Sequence, residues 1–383
     1  MQVAPAEDLD ETLEDEELEQ RGMTKDEILS ALREEVANAA GGMTTSRLAE
    51  NRRMALQYYM GDIYGDEVSG RSSVVTTEFR DTVESLLPQL MKIFMSSDMV
   101  AKFEPNLPQE EKGAAQATDY VNHVFMQENK GFLILYTMMK DALMFKNGVV
   151  KVCWEESQRA KTETYTGLSE QERDALLQDP LVEPVAYSAY EEQLPPVIGP
   201  EGFLAPAVPV TLCDLKLRRV EKIGCAKLYS VPPEEFLITQ RASSIQDARF
   251  VAHRCRKTVS DLIELGLDRK TVEDLAGNQA EGEYSLERQQ RFVYDGDTSP
   301  LSDSTDKSVR YVWITEAYML LDTDGDGIAE RWKITTGGDQ YELLSMEEWE
   351  GDWPFESISP ILMPHKFYGL SMYDIVGQWQ RIQ

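Results

Sequence analysis

The sequence predicts an α+β fold in which a helical N-terminal part is followed by a mixed unit of strands and short helices. Up to about residue 146 the apolar residues recur at helical spacing, while beyond it short β-branched and aromatic runs alternate with turn signals. In 383 residues, 42% are apolar and 28% charged, the composition of a globular protein rather than a fibre or a wholly disordered chain. At roughly 150 residues per domain this length holds two or three folded units.

Taken in order, residues 1–20 hold nine acids and no base, so 1–23 is expected to be an acidic disordered tail. Thr24-Lys-Asp-Glu27 is a capping box, in which hydroxyl and carboxylate each satisfy an orphan amide, and it opens a helix to about residue 39. A second helix is predicted from Ser46 to Met60. A third runs from Thr77 to Phe94 with Phe79, Val83, Leu86, Leu87, Leu90, Ile93 and Phe94 on one face and a kink at Pro88. From Glu110 to Glu128 the residues Ala114, Ala117, Tyr120, Val121, Val124 and Phe125 form another stripe, and Gly131–Lys146 is strongly apolar. Asn147-Gly148 then turns the chain into a strand at 149–154, closing a helical unit over 24–157.

Seven of the seventeen prolines fall between Pro180 and Pro209, after a capped helix at Ser169-Glu-Gln-Glu172. Residues 158–209 are therefore expected to be an irregular proline-rich insertion or arm. In 210–357 the alternation of Cys213, Leu215 and Leu217 with polar residues predicts a half-buried strand. Further strands are predicted at 223–230, 235–239, 249–255, 309–321 and 328–336, with short helices at 258–265 and 269–276 that end at glycines. In 358–383 a helix from Leu370 reaches Gln383 without a stop signal, so a truncated chain is expected.

Charge and motifs exclude several function classes. Lys and Arg total 38 against 68 acids, a net charge of −30, which opposes tight binding to a phosphate backbone. The basic stretch Lys216, Arg218, Arg219, Lys222 and Lys227 reads as a solvated or salt-bridged face, because aromatics for base stacking are not interleaved. No apolar run reaches the roughly 18 residues of a membrane span, so a soluble intracellular protein is expected. The four cysteines form no CxxC pair, and His253 with Cys255 makes a poor zinc site. Phosphate-binding loops, serine-nucleophile elbows and zinc-protease motifs are missing.

One motif is sharp. Asp322-Thr-Asp324-Gly-Asp326-Gly327 places three carboxylates at alternate positions, Ile328 can add its carbonyl, and Glu330 takes the ninth position of a calcium loop. Lys333 stands where a twelfth-position Glu belongs, and both flanks read as strands. The motif therefore leaves open a weak structural calcium site or a metal-free hairpin turn.

Several segments also carry a resemblance. Val75 through Phe94 resembles the N-terminal helix of tailed-phage portal proteins of the P22-like family. Gly131 through Asp141-Ala-Leu to Gly148-Val-Val-Lys-Val-Cys-Trp154, then Ser230 to Ile238, Asp322 to Glu330, and Phe367 to Asp374 agree with it in the same order. What the resemblance implies is a homo-oligomeric ring, a dodecamer, at one capsid vertex. DNA enters it under the terminase motor and leaves through the tail. The implied partners are the terminase large subunit, head-completion or tail-adaptor proteins, and capsid and scaffolding proteins. The implied place is the virion, after assembly in the host cytoplasm, with no catalytic residues and no required cofactor. The family's chains continue past the Gly-Leu-Ser helix, so 358–383 would be only the start of a stem helix. Two other readings stand beside this one. They are an acidic adaptor protein without a DNA role, and a metal-dependent hydrolase centred on Asp322, Asp324 and Asp326.

Overall fold

A computed structural model describes residues 22–44, 47–62, 75–96, 99–179, 181–193, 209–277, 306–338 and 340–382. Residues 1–21 of the expected acidic tail lie outside these residues, as do 194–208 of the proline-rich segment and Gln383, while Met23, expected in the tail, is held by a hydrogen bond to Thr323 O. In chain order the helices are α1 (Lys25–Thr44), α2 (Arg47–Met60), α3 (Glu78–Phe94), α4 (Glu111–His123), α5 (Gly131–Phe145), α6 (Glu170–Leu177), α7 (Val259–Glu264), α8 (Arg269–Gly277) and α9 (Met372–Ile382). The strands are β1 (Gly148–Leu168), β2 (Val182–Gln193), β3 (Pro209–Val231), β4 (Phe236–Ile238), β5 (Phe250–Thr258), β6 (Tyr311–Leu321), β7 (Glu330–Gly337), β8 (Glu342–Glu348) and β9 (Phe355–Ile358). The mixed α+β class is as the sequence predicts. Two compact units result, one made by the chain up to Val152 and again from Leu228, the other by Cys153–Lys227.

The larger unit is built on an antiparallel sheet in the order β4-β5-β6-β7-β8, in which each strand pairs with its sequence neighbours. Strand alternation divides its side chains between two faces. Phe250, Ala252, Ala317, Met319 and Ile334 meet Ile28, Leu29, Leu32, Val36 and Ala39 of α1 on one. On the other, Val251 and Tyr318 pack with Val149, Trp353, Phe355 and Phe367, while Val312 and Ile314 meet Val259, Leu262, Val272 and Leu275. Burial of one such side chain is worth about 1.5–3 kcal/mol. The capping box that opens α1 forms as predicted, Thr24 Oγ1 accepting from Glu27 N and Glu27 Oε2 accepting from Thr24 N at 2.7 Å.

The helices make a second core within the same unit. Phe79, Val83, Leu87 and Met91, four residues apart on α3, are buried against Tyr58, Met139, Leu143 and Tyr373. The predicted stripe on α3 overreaches at its end, where Ile93 is 68% exposed. Helix α3 runs on through Pro88 to Phe94.

The stripe predicted over 110–128 is only partly the buried one: Val124 is buried and Ala114, Ala117 and Phe125 half-buried. Tyr120 and Val121 are exposed, and Thr118 and Asn122 are buried instead. The cause is backbone hydrogen bonding. Asn122 Oδ1 accepts from the amides of Val100 and Ala101, its Nδ2 donates to Ala101 O, and Thr118 Oγ1 accepts from Phe103 N. An extended segment without a sheet partner needs such side chains to satisfy its peptides. The end of the predicted 110–128 helix is a π-helical turn, Val124–Glu128.

The smaller unit departs most from expectation. The expected irregularity of 158–209 is not found where the chain is described, since Cys153–Lys227 contains long strands in the order β2-β3-β1, with β2 antiparallel to β3 from Val182↔Arg219 to Gln193↔Pro209. The register shifts between Pro184 and Ala186, which is how an edge strand accommodates a proline that cannot donate. Its core is small, Val182, Leu215 and Leu217 with Tyr165, Leu168 and Leu176 packed beside them. The 213–217 and 223–230 predictions merge into the single strand β3.

Candidate functional site

The Asp322–Glu330 motif forms the hairpin loop between β6 and β7. Asp322, Asp324, Asp326 and Glu330 each bring one carboxylate oxygen within 4.8 Å of the others. Asp324 and Asp326 are exposed, and Asp322 and Glu330 half-buried. The loop is also a closed set of local hydrogen bonds. Asp322 accepts from Gly325 N at 2.7 Å and Gly327 N at 2.8 Å, Asp326 from Ile328 N at 2.7 Å, and Asp324 from Asp326 N at 3.2 Å.

Gly325 and Gly327 have φ of 80° and 85°, the left-handed region where a β-carbon is penalised. Nothing surrounds the position a Gly327 β-carbon would take, so the backbone alone demands glycine there. The fifth predicted ligand, Ile328, has its side chain 68% exposed. Lys333 points to another task, pairing with Glu347 across the strands at 3.4 Å. On the other side Met23 N donates to Thr323 O at 2.9 Å, so the chain entering α1 rests on this loop. The arrangement can hold one hard cation or stand as a carboxylate-braced turn.

His253 and Cys255 share a strand face as predicted, opposite Glu316 and Ile314. His253 Nε2 lies 3.5 Å from Glu235, and burial pushes the Cys255 thiol up to about 11. Of the basic stretch, Arg219 is engaged by Asp179 at 3.0 Å and Glu163 at 4.0 Å, and Arg218 sits opposite Glu183 in the register.

Sequence reasoning missed the polar groups that join distant segments. Lys151 reaches Glu316 at 2.5 Å, and Tyr318 Oη donates to the same carboxylate. Lys140 bridges α5 to Glu84 of α3 at 2.9 Å, with Tyr59 Oη on that carboxylate as well. Asn147 Nδ2 donates to Phe367 O at 2.9 Å and its Oδ1 accepts from Gly369 N at 3.3 Å. The only local signal for these was a Lys or Asn within a helix-to-strand junction that otherwise reads as apolar.

A family model for the phage SU10 portal protein matches residues 28–383. The chain belongs to the phage SU10 portal protein family. No curated protein matches it. Portal proteins are structural and not enzymes, and the family places this chain in the virion as part of a DNA conduit at the capsid vertex. It also implies a homo-oligomeric ring with other phage proteins as partners. Among the described residues no helix is long and apolar enough to cross a membrane. Membership of this family gives Asp322, Asp324 and Asp326 no hydrolytic role.

Proposed function

We propose that the chain forms a dodecameric portal ring of the P22-like kind, assembled in the host cytoplasm. It docks the terminase large subunit during packaging and head-completion or tail-adaptor proteins afterwards, with capsid and scaffolding proteins around it. The observation that carries this reading is the family match over residues 28–383, within which the five resembling segments follow one another in order. In this reading the helical and α+β parts belong to the wing, and α9 begins the stem.

Charge supports a conduit. Every Lys or Arg that touches phosphate releases counterions and adds affinity that slows passage. A chain of net charge −30 multiplied around a ring repels DNA within about 8 Å of its wall at physiological salt. Native mass spectrometry with negative-stain microscopy tests the proposal, with a twelve-subunit ring around a central hole as the expected result. A compact monomer that binds protein partners instead supports the acidic adaptor.

A structural calcium in the Asp322–Glu330 loop is a second proposal, supported by four carboxylates within 4.8 Å of one another. An ion there would offset the repulsion of crowded acids and stiffen the hairpin. Titration calorimetry is expected to show calcium uptake in the parent protein and none in Asp322→Ala. Equal heats in both would dismiss the ion and leave the braced turn.

A further inference from the structure

We infer that Lys146 is a strain-loaded latch on the root of α9, holding the first turn of that helix against the end of α5. The inference concerns a single chain and does not rest on the proposed ring.

Lys146 ends α5 with φ 84° and ψ −43°, close to the γ-turn region that a residue with a β-carbon seldom occupies. Such a conformation persists only where surrounding bonds over-determine it. Three do so here. The Lys146 amide donates to Ala142 O at 3.1 Å, its carbonyl accepts from Ser359 Oγ at 2.9 Å, and its Nζ meets Asp374 at 3.0 Å.

Both partners of the ion pair are largely buried, Lys146 at 13% and Asp374 at 18% side-chain exposure. Asp374 also carries the capping of α9. Its Oδ2 accepts from Ser371 N at 2.8 Å and Ser371 Oγ at 2.9 Å, while Asp374 N donates to Ser371 Oγ at 3.4 Å. One carboxylate thus holds the start of α9 together and ties it to α5.

The far end of α9 is held by separate chemistry. Gln380 Oε1 accepts from Phe79 N at 3.0 Å and its Nε2 donates to Tyr58 O at 3.1 Å. Lys146 also lines a cavity of about 370 Å³ with Leu48, Ile238, Met363 and Tyr368. A freed lysine side chain has room there that a close-packed interior denies it. The root also carries Tyr373, whose ring meets Tyr58 and Phe79 edge-on at 5.1 and 5.9 Å. What opens is therefore the Lys146–Asp374 tie and the first-turn backbone around that packed ring, with the far end still bound and relief of the Lys146 backbone favouring the open side.

Native-state hydrogen exchange on the full chain tests this, comparing the parent with Lys146→Met, Asp374→Asn, the double variant and Lys146→Gly. Lys146→Met is expected to speed exchange of the 374–376 amides at least tenfold, leaving 380–382 and β6 within twofold of the parent. The double variant should exchange no faster at the root than the faster single. Lys146→Gly, which removes pair and strain together, should melt above Lys146→Met. The latch is overturned if root exchange in Lys146→Met stays within twofold of the parent, or if α9 and β6 accelerate together. It is equally overturned if the two single effects simply add, or if Lys146→Gly melts no higher than Lys146→Met.

Discussion

Glu316 shows how a buried charge is made tolerable in this chain. Burial pushes its carboxyl up, but the Lys151 charge and the hydrogen bonds from Lys151 and Tyr318 outweigh that and leave it below the ordinary carboxylate range. A depressed carboxyl contributes stability that is fully present above the unfolded value of about 4.3 and is lost as pH falls through the folded value. Melting curves between pH 7 and pH 3 should therefore show a steep acid limb that Glu316→Gln flattens. Lys151→Met, which strands the carboxylate, is expected to cost roughly 3–5 kcal/mol, and the double change to Met at both positions less than that. Denaturant titration separates the two. Cys255 makes a simpler point, since desolvation pushes the thiol of this half-buried residue up to about 11, little of it is thiolate at neutral pH, and native protein should label far more slowly with iodoacetamide than unfolded protein.

At the scale of elements, the ends of helices are closed from far away. Helix α3 has Thr77 at its N-cap with no side-chain cap bond, and Gln380 of α9 supplies the acceptor for Phe79 N and the donor for Tyr58 O at the end of α2. One amide thus satisfies orphan groups of two helices that the chain separates from it by hundreds of residues. Gln380→Leu should leave both unpaired in a buried site and cost about 2–4 kcal/mol, read from the chemical denaturation midpoint. The α5 to β1 junction is tighter. A β-carbon at Gly148 would stand 1.9 Å from Met138 O, a backbone atom that cannot yield, so Gly148→Ala is expected to prevent soluble folding, as expression and circular dichroism would show.

Across the whole molecule, the net charge of −30 predicts weak, salt-insensitive contact with DNA. Filter binding at physiological salt should detect no retention of duplex DNA by the assembled protein. A steep loss of binding with added salt would reveal phosphate contacts and would contradict the conduit wall argued above. The capping boxes at Thr24 and Ser169, and the four strands β4 to β7 of the larger unit's five-stranded sheet, were legible because their signals are local, whereas β8, β9 and the capping box at Thr258 were not read. The strands of the smaller unit were not, because the prolines that mark loops elsewhere sit here on an edge and at a bulge.

By itself the sequence determined the α+β class, the helices and strands of the larger unit apart from β8 and β9, the acid-rich turn at Asp322–Gly327, and the segments that resemble a portal family. Each of these depends on residues close together in the chain, through helical or strand periodicity, capping or turn conformation. Only the tertiary structure decided which face of α4 is buried, because Thr118 and Asn122 serve a neighbouring backbone that no periodicity announces. It alone brought Lys151 to Glu316, Gln380 to Phe79 and Lys146 to Asp374. A buried polar group takes its meaning from the partner it finds in space, and that partner is set by packing rather than by spacing along the chain.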